Sequence, residues 1–102
     1  MASSKEYLTY ILDLLADVPE VTTRMMMGEY LLYARGRLFG GVYDDRFLVK
    51  ETPSSRAALT TREVPYDGAA HMMLVDIEDR DAIAKLVDAM LPELPEPKPR
   101  RR

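Results

Sequence analysis

The stretch from Glu29 to Lys50, EYLLYARGRLFGGVYDDRFLVK, decides the fold. It is three apolar runs of strand length, rich in Tyr, Phe, Val and Leu, separated by Arg35-Gly36 and Asp44-Asp45, which read as tight turns. If both turns hold two residues, counting fixes the register: Leu32 lies opposite Phe39 and Phe39 opposite Lys50, while Tyr30 lies opposite Gly41 and Gly41 opposite Leu48. Side chains alternate across a strand, so one face collects Leu31, Tyr33, Leu38, Gly40, Val42, Phe47 and Val49. That face is uncharged and is expected to be the core. The other collects Tyr30, Leu32, Ala34, Arg37, Phe39, Gly41, Tyr43, Arg46, Leu48 and Lys50, aromatics mixed with positive charge.

Outward from this stretch the period changes. Upstream, a further strand is expected near 22–27, closed by a turn at Gly28. Before it, Leu8, Ile11, Leu12 and Leu15 recur at helical spacing behind Ser3 and Glu6, which have capping-box spacing, and Pro19 ends the run. Downstream, Thr52-Pro53 reads as an N-cap and first helical residue opening a short helix to about Leu59. Pro65 and Asp67-Gly68 mark a loop, and residues 70–75 read as a fifth strand. A last helix runs from about Asp79 to Leu91 with Ile83, Leu86, Val87 and Met90 on one side. The order predicts an α+β domain: an antiparallel meander of about five strands packed against N- and C-terminal helices, over residues 1–92. Residues 93–102 form an extended Pro/Arg-rich tail.

Composition narrows the function classes. A chain of 102 residues, 47% hydrophobic, is one globular domain. There is no cysteine, no apolar run of membrane-spanning length and no signal-like N-terminus, so the expectation is a cytoplasmic protein. The net charge of −3 is unevenly spread, because Lys98, Arg100, Arg101 and Arg102 sit together at the C-terminus and the rest of the chain is more acidic. Such a body is a poor match to a nucleic-acid backbone, although the tail cations keep nucleic acid among the partners to consider.

No catalytic constellation emerges. His71 is the sole histidine, no serine sits in a nucleophile-elbow pattern, and thiol chemistry is absent. Asp76, Glu78, Asp79 and Asp81 complement a helix N-terminus and lack EF-hand spacing. The expectation is a protein that is not an enzyme, with no cofactor and no metal. Gly40-Gly41 within a strand points to a bulge or strong twist. Met25-Met26-Met27 cannot all face one side of a strand, and methionine suits both cores and adaptable binding surfaces.

Three readings of the aromatic and basic sheet face stay open. It is a partly covered surface with snorkelling cations, a protein-protein or homodimer surface, or a base-stacking platform. The residues expected to make contacts are Arg24, Tyr30, Phe39, Tyr43 and Arg46. Arg24 has a structural alternative, an ion pair with Glu29 or with an acidic helix residue.

The run Arg24-Met25-Met26-Met27-Gly28, the Leu32-Tyr33 pair, Gly36, Phe39, the Phe47–Lys50 strand and the Tyr66–Val75 stretch together resemble the TfoX/Sxy family, N-terminal domain, across roughly residues 3–92. Family members often carry an aromatic where Met27 stands and a glycine where Leu31 stands. The resemblance implies an antiparallel sheet flanked by helices, similar to the secretion-chaperone-like fold. It also implies a regulator of transcription, acting on competence genes alongside the cyclic-AMP receptor protein. The longer regulators add a C-terminal helical domain where this sequence has its Pro/Arg tail, so the expectation is a stand-alone domain working as a protein-interaction module. Direct nucleic-acid binding through the sheet face and tail is the alternative.

Overall fold

The computed structural model describes residues 4–95. Three consecutive two-residue turns build its centre. Met27-Gly28, Arg35-Gly36 and Asp44-Asp45 all have positive φ, between 52° and 83°, the conformation that lets a turn follow the twist of the strands it joins. They connect β1 (Val21–Met26), β2 (Glu29–Ala34), β3 (Arg37–Val42) and β4 (Phe47–Lys50) into the expected antiparallel meander. The sheet has six strands rather than about five. The expected fifth strand forms over Met72–Leu74 and lies beside β4 as β6, and Arg62–Glu63 adds a two-residue strand, β5, on its outer side.

Two of the three helices close over one face, and the short middle one packs against the last. The first, α1 (Lys5–Leu14), is capped by the Ser4 hydroxyl, which accepts the Tyr7 amide at 3.1 Å; the capping residue is Ser4, not Ser3 as the spacing suggested. Thr52 and Ser55 form a reciprocal capping box before α2 (Pro53–Ala58), with Pro53 at the first turn as expected. Asp79 caps α3 (Arg80–Met90) through the Asp81 amide. Ile11, Leu14 and Leu15 from the first helical segment and Ile83, Leu86, Val87 and Met90 from α3 close over the sheet. A 3₁₀ turn at Leu91–Glu93 and the buried Leu94 continue the core past the expected boundary at residue 92. Lys98, Arg100, Arg101 and Arg102 lie outside the described residues.

The register of β2 on β3 departs from the count. Ala34 does pair with Arg37 and Tyr33 with Leu38, but Leu32 then pairs with Gly40 and Tyr30 with Val42. Phe39 is the extra residue of a bulge, beside the Gly40-Gly41 pair where the sequence suggested one. One inserted residue moves part of the meander to the opposite side. Tyr30, Leu32, Ala34 and Phe39 therefore join Val42, Phe47 and Val49 under the helices, and Leu31, Tyr33 and Leu38 face the other way. The two expected faces were each half right.

Glu93 ties the C-terminal turn to α2. Its carboxylate accepts the Ser54 amide at 3.1 Å and the Ser54 hydroxyl at 2.7 Å, and the Ser54 hydroxyl bond is the main reason its pKa is held below the ordinary 4.5. A lowered folded pKa contributes stability above the ordinary value and loses it as pH falls through the lowered one. The urea midpoint of Glu93→Gln is therefore expected below that of the parent chain at pH 7, the two converging as pH falls through the lowered value. A gap that is constant with pH would refute this role.

Candidate functional site

The sheet face away from the helices is apolar but not flat. Leu31, Tyr43 and Leu48 are buried there in a second small cluster, with Tyr33, Leu38, Met72 and Leu74 packed against it. The 64–71 loop rises beside this cluster and converts the face into a groove of about 780 Å³. Leu31, Leu38, Tyr43 and Met72 line it from the sheet, Pro65, Tyr66 and His71 from the loop, and Lys50, Glu51 and Arg56 from the end of β4 and α2. Apolar walls with a few polar groups at one side are the usual make-up of a binding concavity.

Arg46 holds the loop in place. Its guanidinium meets the Glu63 carboxylate at 2.6 Å and donates to the main-chain oxygens of Tyr43, Val64 and Pro65. Four acceptors from two segments make it a strut under the groove wall, not a free contact residue. Arg46→Ala is expected to cost about 2 kcal/mol in denaturant unfolding, since a partly buried carboxylate and three carbonyls lose a charged donor. It should also expose the 64–71 loop to limited proteolysis. Unchanged stability and cleavage would remove the strut role.

The loop presents Tyr66, which is 59% exposed, and its ring centroid lies 6.2 Å from that of Tyr43. Burial, followed by the proximity of Tyr66, Glu29 and Tyr33, holds the Tyr43 hydroxyl above the ordinary tyrosine value, so it stays a neutral donor and acceptor. At the rim, Glu51 binds Arg62 at 3.0 Å and Arg56 at 3.7 Å, and Lys50 forms no ion pair among the described residues.

The five residues expected to make contacts separate. Tyr43 lines the groove. Arg46 braces it. Phe39 is fully enclosed and Tyr30 nearly so, both under the helices because of the bulge, and neither belongs to an exposed surface. Arg24 is exposed on β1. Tyr30 and Phe39 are therefore not exposed for stacking on bases. Tyr66 and Arg56 are groove residues that sequence reading passed over, and Lys50 was read on the aromatic and basic face but not among the contacts; Tyr66 was visible only as part of a loop whose direction no local signal gives.

Among the described residues no group of three or more acidic or histidine side chains could hold a metal ion, and no helix is long and apolar enough to cross a membrane. The architecture is a two-layer α+β domain, α1 and α3 on one side of a six-stranded antiparallel sheet and a groove on the other. The pattern of the TfoX N-terminal domain family matches residues 13–89, and the chain belongs to that family. It is also 30% identical, over 105 aligned residues covering 99% of this chain and 91% of the relative, to the uncharacterized 12.7 kDa protein in the trpE 5′ region of Spirochaeta aurantia.

Proposed function

We propose that this chain is a cytoplasmic, non-enzymatic protein-interaction module that captures an acidic, apolar-rich segment of a protein partner in the groove and self-associates, serving a TfoX-like regulatory role in transcription. The observation that carries the reading is the groove itself. It lies on the one sheet face that the helices leave uncovered, offers Tyr43, Leu38 and Met72 to apolar side chains, and has Lys50 and Arg56 at its rim for carboxylates. Family membership supports a regulatory setting, and the lining of the groove supports the interaction chemistry.

Capture of partners from the source cell tests it. Tyr66→Ala and Lys50→Glu are each expected to deplete the same partners at least tenfold by quantitative mass spectrometry, with far-UV circular dichroism and thermal midpoint unchanged. A partner set indifferent to both substitutions would sink the reading. Nucleic-acid binding is the outcome to watch on the other side: a salt-sensitive gel shift that survives removal of residues 97–102 would revive it.

A further inference from the structure

The two edges of the sheet are built very differently. One edge, β5, is two charged residues long, a length that offers almost nothing to a pairing strand. The other, β1, is six residues, VTTRMM, with five of them exposed and no proline, lysine or bulge to discourage pairing. Met25 is 60% exposed and Met26 48%. Long unprotected edges are rare because they invite pairing, so an open β1 beside a blunted β5 calls for an occupant.

The ladder says which main-chain groups are available. Met26 and Glu29 close the two-residue Met27-Gly28 turn, and the Arg35 amide donates to the Glu20 carbonyl at 3.2 Å. In an antiparallel pair, hydrogen-bonded and non-hydrogen-bonded positions alternate. Both observations place the hydrogen bonds to β2 at even-numbered residues of β1. The N–H and C=O groups of Val21, Thr23 and Met25 therefore point away from the sheet.

We infer that β1 pairs antiparallel with β1 of a second copy, about a two-fold axis at Thr23. This register alone uses all three outward-facing residues on both strands: Thr23 opposite the partner's Thr23, and Val21 opposite the partner's Met25 in both directions. It also sets Arg24 opposite the partner's Thr22. A two-fold axis one residue further along would bring the two Arg24 side chains directly together, which is destabilising. Charge and main-chain pattern thus select the same register. Because paired residues come from the same face in each copy, the helices of both copies lie on one side and the two grooves open together on the other.

A single strand pair makes a small interface, at or below the about 1,200 Å² at which stable complexes begin, so the dimer is reversible and concentration-dependent. The inference rests on the self-association in the proposed function but not on the groove. Sedimentation equilibrium of the full chain from about 10 μM to about 1 mM should show mass rising from 11.6 kDa toward twice that value. Thr23→Lys and Thr23→Glu, at an exposed position, should each remain folded and monomeric, because each sets like charges across the axis. Mixed in equal amounts, they should form the heterodimer. A monomer at every concentration would overturn self-association altogether. A dimer indifferent to both substitutions would overturn only the β1 pairing and leave self-association standing.

Discussion

Phe39→Ala is expected to destabilise the domain by about 3–5 kcal/mol, the range for truncating an enclosed aromatic side chain. Phe39 has no exposed surface and packs with Leu32, Val42 and Phe47 beneath the helices. Its neighbour Leu38 lies on the opposite face, half-buried at the groove, and Leu38→Ala should cost only about 1 kcal/mol. The order of these two values tests the bulge. Were β2 and β3 paired as simple counting gives, Leu38 would sit in the core and Phe39 on the surface, and the costs would be reversed. Urea unfolding of both variants with matched m-values decides it.

That reversal marks the limit of what the sequence discloses. The meander, its three turns, α2 with its Thr52-Pro53 start and α3 with its apolar stripe follow from local signals, because each depends on residues close in the chain. The face assignment depends on one inserted residue. Alternation normally exposes such an insertion, since a slipped strand carries polar residues into the core. Here Leu31, Tyr33, Leu38 and Leu48 make the groove face apolar as well, so both registers look equally well buried. The feature that hid the bulge is the same one that leaves the open face apolar. Tyr43 was read on the correct face because β4 follows its turn without a slip. Phe39 was misplaced because it is the inserted residue, and Tyr30 because it lies in β2 beyond the bulge. The β5 strand was missed for another reason: two residues, Arg62 and Glu63, carry no periodicity, and only the partner β6 defines them.

Gly40→Ala should be nearly as costly, about 3 kcal/mol or more, at the upper end of what overpacking imposes. At Gly40 the bulge brings β3 so close to β4 that a Cβ would lie 2.9 Å from the Val49 Cα and press on the Leu48 carbonyl oxygen. Both obstacles are main chain of a central strand, so no side-chain rotation relieves them. A loss of this size in a domain of about 100 residues lowers the thermal midpoint by about 12 °C or more. Gly41 meets one main-chain and one side-chain obstacle. Its Cβ would meet the Tyr30 carbonyl at 2.7 Å and also the Tyr43 ring at 2.7 Å, and the ring can move. Gly41→Ala should therefore displace Tyr43 from the groove floor and weaken partner capture along with stability. Gly68, in the loop, serves as the control: its Cβ would meet nothing within 4 Å, but φ is +86°, so Gly68→Ala should cost only the backbone strain of about 1–2 kcal/mol. If Gly40→Ala proved as mild as Gly68→Ala, β3 and β4 could not approach as closely as the bulge requires. The pairing of Gly40 with Leu32, on which the placement of Phe39 in the core depends, would fall with it.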